Sequence, residues 1–233
     1  MKPNVDCMKG AAMENCLFIH GFTGGIFEIE PLAEHMSRNC YACTTFTLHG
    51  HGGSRLELKQ SSRQHWVNSA EEQLKRLQAS GGGIHLIGFS TGALIASRLA
   101  VQYQTSIRSL TLLSAPVFPL HPPEILRTLV RPEMLRQYVR KMRQTPPNAT
   151  REFLRMVGES FEVYPRIEVP TLIVQGGRDH LVKPKSVAYL REAIPAVSKK
   201  VLLAEKSGHM VCHGEDRERV LDEVLQFAAG SER

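Results

Sequence analysis

The 233-residue chain has the size and composition of one ordinary domain and carries a formal net charge of +6. Apolar residues make up 42% of it and charged residues 22%, which is enough to bury a continuous core. No apolar stretch of about 18 residues is present, and residues 1–15 lack the apolar run of a secretory signal. We therefore expect no stable membrane insertion and a cytoplasmic protein.

The positive charge is concentrated in one part of the chain. Between residues 117 and 158, eight lysines or arginines stand against three glutamates, interleaved with apolar residues at helical spacing. No aromatic stacking platform accompanies them, which favours solvated helix faces over a nucleic-acid surface. An anionic membrane surface is a weaker alternative. We expect no nucleic-acid partner and either a monomer or a homodimer.

The five cysteines do not form an obvious framework, because an odd number cannot pair completely. Cys40 and Cys43 have the spacing of a redox motif or of half a zinc site. No second cysteine pair is present to complete a zinc site. The cysteines are therefore interpreted as buried or half-buried thiols, and no metal is expected.

Short apolar runs alternate with helical patterns along the chain. Each predicted strand is nearly all apolar, as in parallel strands that are covered on both faces. The predicted strands are residues 16–20, 42–48, 84–89, 109–114, 171–175 and 200–204, and the predicted helices are residues 29–36, 66–78, 92–103, 184–193 and 215–228. This alternation is typical of an α/β fold with an open, mostly parallel sheet.

Residues 117–166 interrupt the alternation, because they contain no good strand. Proline pairs at 122–123 and 146–147 bracket apolar residues at helical spacing, which predicts two or three short helices. Ligands of open α/β sheets bind outside the carboxyl ends of the strands. We therefore predict a core made of residues 1–116 and 167–233, with residues 117–166 as an inserted helical cap over the site.

A nucleophile motif follows one predicted strand. The pentapeptide Gly88-Phe-Ser-Thr-Gly92 lies between the strand at 84–89 and the helix at 92–103. A serine in a sharp strand-to-helix turn, with glycines two residues on either side, is the pattern of a nucleophile elbow. The pattern alone is weak, and it is equally compatible with a structural turn. Ser90 is the candidate nucleophile.

A glycine-rich turn, His20-Gly-Phe-Thr-Gly-Gly25, directly follows the first predicted strand. Such a turn can aim backbone N–H groups at the negative charge that develops on an ester oxygen in the transition state. The N–H groups of Phe22 and Thr91 are the candidate oxyanion donors, and His20 is expected to support the loop. A phosphate loop is disfavoured because the Gly-Lys-Ser/Thr ending is missing.

The candidate acid and base follow in chain order. Asp179 comes after the strand at 171–175, and His209 comes after the strand at 200–204. Serine, acid and histidine in this order are typical of one hydrolase class, and the ends of parallel strands can bring them to one edge. Three rival acids rank lower, two because they fall in the last predicted helix and one because it adjoins His209: Asp216, Asp222 and Glu205.

Two histidine pairs suggest a metal site, His49 with His51 and His209 with His213. The first pair lies in a glycine-rich turn, and the second lacks the glutamate of a zinc-protease helix. Structural roles are therefore favoured for them.

These motifs together resemble the α/β-hydrolase family, more narrowly the small bacterial carboxylesterases and monoacylglycerol lipases. The resemblance covers nearly the whole chain and rests on the segments 20–24, 48–52, 88–92, 177–179 and 207–209, with Trp66. It implies that Phe22 and Thr91 supply the oxyanion hole and that residues 117–166 form a small helical cap. The chain departs from the family pattern at Ala93, often a glycine, and at Thr91, usually apolar.

The expected function is that of a serine carboxylesterase acting on short to medium acyl chains, monoacylglycerols among them, without a cofactor. Apolar residues of the cap would form the acyl pocket: Phe118, Ile125, Leu129, Met134 and Leu135. A thioesterase, a C–C bond hydrolase or a perhydrolase could use the same triad. From another class, a non-catalytic binding protein on a hydrolase scaffold is the alternative.

Overall fold

The computed structural model describes residues 13–119, 144–183 and 185–231, together with residues 133, 136, 139 and 140. The strands of the described sheet are β1 Asn15–Ile19, β2 Ala42–Thr45, β3 Ile84–Phe89, β4 Ile107–Leu113, β5 Thr171–Gly176 and β6 Lys199–Ala204. They form one six-stranded sheet in the order β2-β1-β3-β4-β5-β6. Every neighbouring pair is parallel, so all the carboxyl ends lie at one edge.

Seven α-helices lie with both of their ends in the described residues and connect and cover the strands. They are α1 Glu30–Arg38, α2 Arg55–Gln60, α3 Arg63–Ser80, α4 Thr91–Gln102, α5 Pro147–Val163, α6 Lys185–Ala193 and α7 Arg217–Gly230. Short 3-10 helices span Ile26–Glu28, Gln104–Ser106 and Tyr164–Arg166. The predicted α/β fold with a parallel sheet is confirmed.

The sheet separates two apolar layers, because successive side chains of a strand point to opposite faces. Leu17 and Ile19 belong to a cluster that includes residues of α3, α4 and α5. Cys16 and Phe18 of the same strand belong to the other cluster, with residues of α1 and α7. Helices therefore cover both faces of the sheet, as the apolar character of the strands predicts.

Helix α2 was not predicted from the sequence, although its first residues carry a start signal. The Ser54 side chain accepts a hydrogen bond from the Glu57 N–H, and the Glu57 carboxylate accepts one from the Ser54 N–H. This reciprocal arrangement satisfies two N–H groups that the helix itself leaves unpaired. The capping pattern was the available signal, but the helix is too short to show an apolar period.

Helix α5 is the longest described segment of the predicted cap, and it is one helix of 17 residues. Ala149, Met156 and Val157 of α5 lie in the same apolar cluster as α3 and α4. Phe118 packs against Phe161 and Tyr189. Four predicted pocket residues lie outside the described residues: Ile125, Leu129, Met134 and Leu135. The division at residues 117 and 166 stays a prediction.

Ion pairs tie α5 to the helices beneath it. The Arg63 guanidinium, at the start of α3, pairs with Glu152 at 2.8 Å and with Glu159 at 2.7 Å. The Arg63 backbone N–H also donates to Glu152 at 3.2 Å. Arg98 of α4 reaches Glu159 at 3.6 Å. Partly buried, multiply bonded pairs of this kind hold a fixed geometry better than isolated surface pairs.

The thiol interpretation is wrong for Cys40, which is disulfide-bonded. Cys40 lies in the exposed turn after α1, with a φ of 70°, so no apolar core covers it. Cys16, Cys43 and Cys212 are outside any disulfide, as expected, and Cys40 therefore does not pair with Cys43. Disulfides are more common in oxidising compartments than in the cytosol, so a cytoplasmic location stays a prediction. No described helix is long and apolar enough to cross a bilayer.

Two glycines allow β3 and α4 to pass close to each other and to β1. An ideal Cβ on Gly92 would lie 2.0 Å from the carbonyl oxygen of Ile19. A Cβ on Gly88 would lie 2.3 Å from the carbonyl oxygen of Gly92. Both distances are far below van der Waals contact, so only glycine fits at either position.

Replacing Gly92 by alanine is therefore expected to lower the free energy of unfolding by roughly 2–3 kcal/mol, since rigid backbone atoms must move. The matched control is Gly158→Ala in α5, where a Cβ meets nothing within 4 Å. This change should raise the free energy of unfolding by roughly 0.5–1 kcal/mol, because alanine restricts the unfolded chain. Urea unfolding followed by circular dichroism measures both. Equal effects of the two variants would contradict the close crossing.

Candidate active site

Ser90 occupies a strained turn between β3 and α4. Its φ of 52° and ψ of −118° lie where side-chain-bearing residues rarely occur. Such a conformation costs of order 1–3 kcal/mol and persists only where the surroundings impose it. Here the Ser90 N–H donates to the Leu113 carbonyl at 2.8 Å, and the close crossing at Gly88 and Gly92 fixes both flanks.

A continuous chain of hydrogen bonds joins Ser90 to the two other candidate residues. His209 Nδ1 lies 2.8 Å from Asp179 Oδ2, and His209 Nε2 lies 3.1 Å from Ser90 Oγ. A carboxylate can only accept, so Nδ1 carries the proton and Nε2 is free to accept from the Ser90 hydroxyl. The Asp179 side chain is 2% exposed and that of His209 is 15% exposed. The structure thus brings together the three residues that the sequence indicates.

Asp179 is held by four hydrogen bonds. Its Oδ1 accepts from the N–H groups of Leu181 at 2.8 Å and Val182 at 3.1 Å. Its Oδ2 accepts from Gln175 Nε2 at 2.7 Å as well as from His209. Burial raises the pKa of Asp179, but the hydrogen bond and charge of His209 and the two backbone N–H groups outweigh it. The net pKa lies below its ordinary value, so the carboxylate stays ionised at neutral pH.

The loop that carries His209 is fixed by a rival acid. Asp216 Oδ2 accepts from the backbone N–H groups of Lys206 at 2.7 Å and Ser207 at 3.1 Å. Ser114 Oγ donates to the His209 carbonyl at 2.8 Å from the end of β4. Asp216 therefore orders the loop instead of contacting His209. Of the other two rivals, Asp222 pairs with His35 and Glu205 is exposed.

His20 orients the peptide that contains the candidate oxyanion donor. Its Nδ1 donates to the Gly21 carbonyl at 2.9 Å, and its Nε2 accepts from the Leu48 N–H at 3.0 Å. Burial lowers the pKa of His20, which favours this neutral tautomer. The Gly21 carbonyl and the Phe22 N–H belong to one planar trans peptide, so fixing the carbonyl fixes the N–H. The Thr91 N–H begins α4 and has no partner within that helix.

Phe22 is part of an aromatic cluster that reaches α5. Its ring stacks on Phe153 with centroids 5.2 Å apart and planes 9° apart. Trp66 lies 5.7 Å away and His51 lies 6.1 Å away. The stacking puts α5 in direct contact with the glycine-rich loop, at the residue that carries the candidate donor N–H.

The histidines of the glycine-rich turn at 48–54 have structural surroundings. His49 Nδ1 lies 3.2 Å from Ser61 Oγ, and its ring lies 4.9 Å from that of His65. His51 packs edge-on against Trp66 and His20. No group of three metal-binding side chains occurs among the described residues. Both histidines of this turn thus have packing partners, and their structural role stays a prediction.

Two contacts of the site were missed by the sequence reasoning. Gln175 and Ser114 each bond to a catalytic candidate, yet both look like ordinary strand residues in the sequence. Their position at the carboxyl ends of β5 and β4 was the available signal. A third missed residue, Glu28, bonds to the Gly21 N–H and is considered below.

Burial and, secondarily, the nearby charge of His20 lower the pKa of His51 from 6.5 to about 4. Between these pH values the unfolded state binds more protons, so stability present above pH 6.5 is lost as the pH falls towards 4. A glutamine at position 51 does not titrate. His51→Gln is therefore expected to reduce the difference in unfolding free energy between about pH 7 and about pH 4.5. Urea unfolding at both pH values measures this difference. An unchanged difference in the variant would contradict the lowered pKa of His51.

Comparison with known proteins agrees with the fold. A profile of the Alpha/beta hydrolase family matches residues 16–223. A carboxylesterase of Bacillus subtilis (strain 168) is 22% identical over 225 residues, covering 91% of this chain and 90% of the relative. A thermostable monoacylglycerol lipase of Bacillus sp. (strain H-257) is 24% identical over 227 residues, covering 91% and 89%.

A solved structure from work on the metagenome-derived lipolytic enzymes LipS and LipT superimposes with a TM-score of 0.81. It is 21% identical to this chain and covers 94% of both chains. At 21% identity, this similarity supports a shared fold and carries no information about activity. The family profile spans most of the chain, and so the protein belongs to the Alpha/beta hydrolase family.

Proposed function

We propose that the protein is a serine carboxylesterase in which Ser90 is the nucleophile, His209 the general base and Asp179 the orienting acid. The observation that carries the proposal is the hydrogen-bonded chain from Asp179 through His209 to Ser90. This chain ends on a serine held in a strained strand-to-helix turn. Together these are the geometric roles of a nucleophile, a base and an orienting group.

In the first half-reaction, Ser90 Oγ attacks the ester carbonyl carbon while its proton passes to His209 Nε2. The carbonyl oxygen becomes negative, and the N–H groups of Phe22 and Thr91 stabilise it. Loss of one such donor costs about 3 kcal/mol in comparable enzymes. His209 then protonates the leaving alcohol, and the acyl group remains on Ser90.

In the second half-reaction, water attacks the acyl-enzyme. His209 takes the water proton and returns it to Ser90 Oγ as the acid leaves. The ionised Asp179 stabilises the imidazolium in both steps, in agreement with its lowered pKa. The residues in contact need no cofactor for this sequence of proton transfers.

The relatives support an ester as substrate, since two that span most of the chain are named carboxylesterase and monoacylglycerol lipase. We propose short to medium acyl chains, monoacylglycerols among them, bound between the sheet edge and a cap formed by residues 117–166. Helix α5 supports the cap part of this proposal, because its Phe153 packs on Phe22 directly above the glycine-rich loop.

A thioesterase, a C–C bond hydrolase or a perhydrolase would use the same three residues. One assay that offers an ester, an acyl-CoA and a diketone in competition separates these alternatives by their kcat/KM values. A non-catalytic binding protein would retain the fold but leave Ser90 unreactive. Labelling of folded protein with a fluorophosphonate, read by mass spectrometry at Ser90, tests that alternative.

Ser90→Ala removes the nucleophile and is expected to lower the hydrolysis of p-nitrophenyl butyrate by on the order of 10⁴-fold or more. Across a series of p-nitrophenyl esters, the wild-type kcat/KM should peak at a short or medium acyl chain and decline towards palmitate. The matched control is Ser80→Ala, at an exposed serine that ends α3. Unchanged turnover in the Ser90→Ala variant would contradict the proposal that Ser90 is the nucleophile.

Asp179→Asn keeps the size of the side chain but favours the wrong imidazole tautomer, so kcat should fall by roughly 10³–10⁴-fold, as in other triads. Asp222→Asn is the matched control, because Asp222 pairs with His35 on the surface. Steady-state kinetics on one ester measure both variants. Comparable losses in the two variants would show that Asp179 has no special role.

A further inference from the structure

Glu28 is a buried carboxylate that the proposed mechanism does not use. It ends the short helix Ile26–Glu28, and only 6% of the residue is exposed. Its Oε2 accepts a hydrogen bond from the Gly21 N–H at 2.8 Å. Burying a carboxylate is costly unless it is well bonded, so its presence under the glycine-rich loop requires a reason.

The glycine-rich loop is wrapped closely around this carboxylate. An ideal Cβ on Gly24 would lie 2.1 Å from Glu28 Oε2, so a side chain at Gly24 would have to displace the Glu28 carboxylate. An ideal Cβ on Gly21 would lie 3.1 Å from Glu28 Oε2 and also 3.1 Å from Ser90 Cβ. Glu28 Oε2 and Ser90 Cβ each lie 3.1 Å from this ideal Cβ position, so the two atoms are no more than about 6.2 Å apart. Glu28 is therefore a neighbour of the nucleophile.

Two successive peptides of the loop are each held by one side chain. Glu28 accepts from the N–H of the His20–Gly21 peptide, and His20 donates to the carbonyl of the Gly21–Phe22 peptide. The second peptide contains the Phe22 N–H, which the proposed mechanism uses. The two peptides are joined at the Gly21 Cα, so the Glu28 bond anchors the point about which the second peptide turns, while the His20 bond restricts that turn. Glycine has the freest backbone of all residues, so this limit has to come from outside.

We propose that Glu28 is a positioning residue that holds the Phe22 N–H in place for the oxyanion. The inference rests on the proposed function, since it concerns the same oxyanion hole. Its contribution comes from the position of its oxygen, because a negative charge this close would oppose a developing oxyanion. A neutral side chain with an acceptor oxygen in the same place should therefore serve as well as the carboxylate.

The test compares Glu28→Ala with Glu28→Gln by steady-state hydrolysis of p-nitrophenyl butyrate. Glu28→Ala removes the acceptor, and kcat should fall about tenfold or more while KM changes less than about twofold, the pattern of a group that acts in the transition state. Glu28→Gln keeps an acceptor oxygen, so its kcat should stay within about threefold of the wild type or exceed it. Thermal unfolding of each variant identifies the folded fraction.

A second pair of variants tests the contact itself. Gly24→Ala should lower kcat by displacing the carboxylate, but it should cost nothing further in the Glu28→Ala background, because no carboxylate remains to be displaced. The matched control is Glu30→Ala, which removes an exposed glutamate two residues along the chain and should leave kcat unchanged. Additive effects of Gly24→Ala and Glu28→Ala would overturn the proposal. So would an unchanged kcat in folded Glu28→Ala, or an equal loss in Glu28→Gln.

Failure of the proposed function can be told apart from failure of this inference. If the wild type neither hydrolyses esters nor is labelled at Ser90, the proposed esterase function is wrong. Amide hydrogen exchange of residues 20–25 then tests whether Glu28 holds the loop. Faster exchange in Glu28→Ala than in Glu28→Gln supports a role in holding the loop. Equal exchange in the two variants overturns it.

Discussion

The site depends on one steric constraint, the close passage of β3 and α4 against the end of β1. The carbonyl of Ile19 occupies the space that a side chain on Gly92 would need. This contact ties the start of α4 to the strand that leads into the glycine-rich loop. The same crossing flanks Ser90, which has a φ of 52° and a hydroxyl 3.1 Å from His209 Nε2. The proposed nucleophile and the candidate oxyanion loop thus both adjoin this one backbone contact.

The all-parallel sheet then supplies the other groups. Strands β4, β5 and β6 end at the same edge as β3, so the segments that follow them meet around Ser90. Ser114 follows β4, Asp179 follows β5 and His209 follows β6. The proposed orienting acid is stabilised by N–H groups of its own turn, and the histidine loop by Asp216. Each functional side chain therefore has local support that is independent of the substrate.

The sequence predicts those parts of the site that depend on chain order. Ser90, Asp179 and His209 each come directly after an apolar strand, and the topology of a parallel sheet brings them together. Glu28 could not be found in this way, because its partner lies seven residues earlier in a loop whose shape no periodicity encodes. The disulfide at Cys40 was missed for a similar reason, since cysteine spacing does not reveal which turns are exposed. The short helix α2 has a cap but no apolar period.

The stacking of Phe22 on Phe153 has a consequence for how this fold can vary. The proposed function assigns the helical segment above the sheet to substrate binding and the sheet edge to the chemical step. Phe153 of α5 stacks on Phe22, whose backbone N–H is the proposed oxyanion donor. The ion pair of Arg63 with Glu152 holds α5 in this position. A module transplanted from another hydrolase would have to reproduce both contacts. Under the proposed mechanism, a substitution in α5 that changes substrate selection would therefore also change the rate of the chemical step.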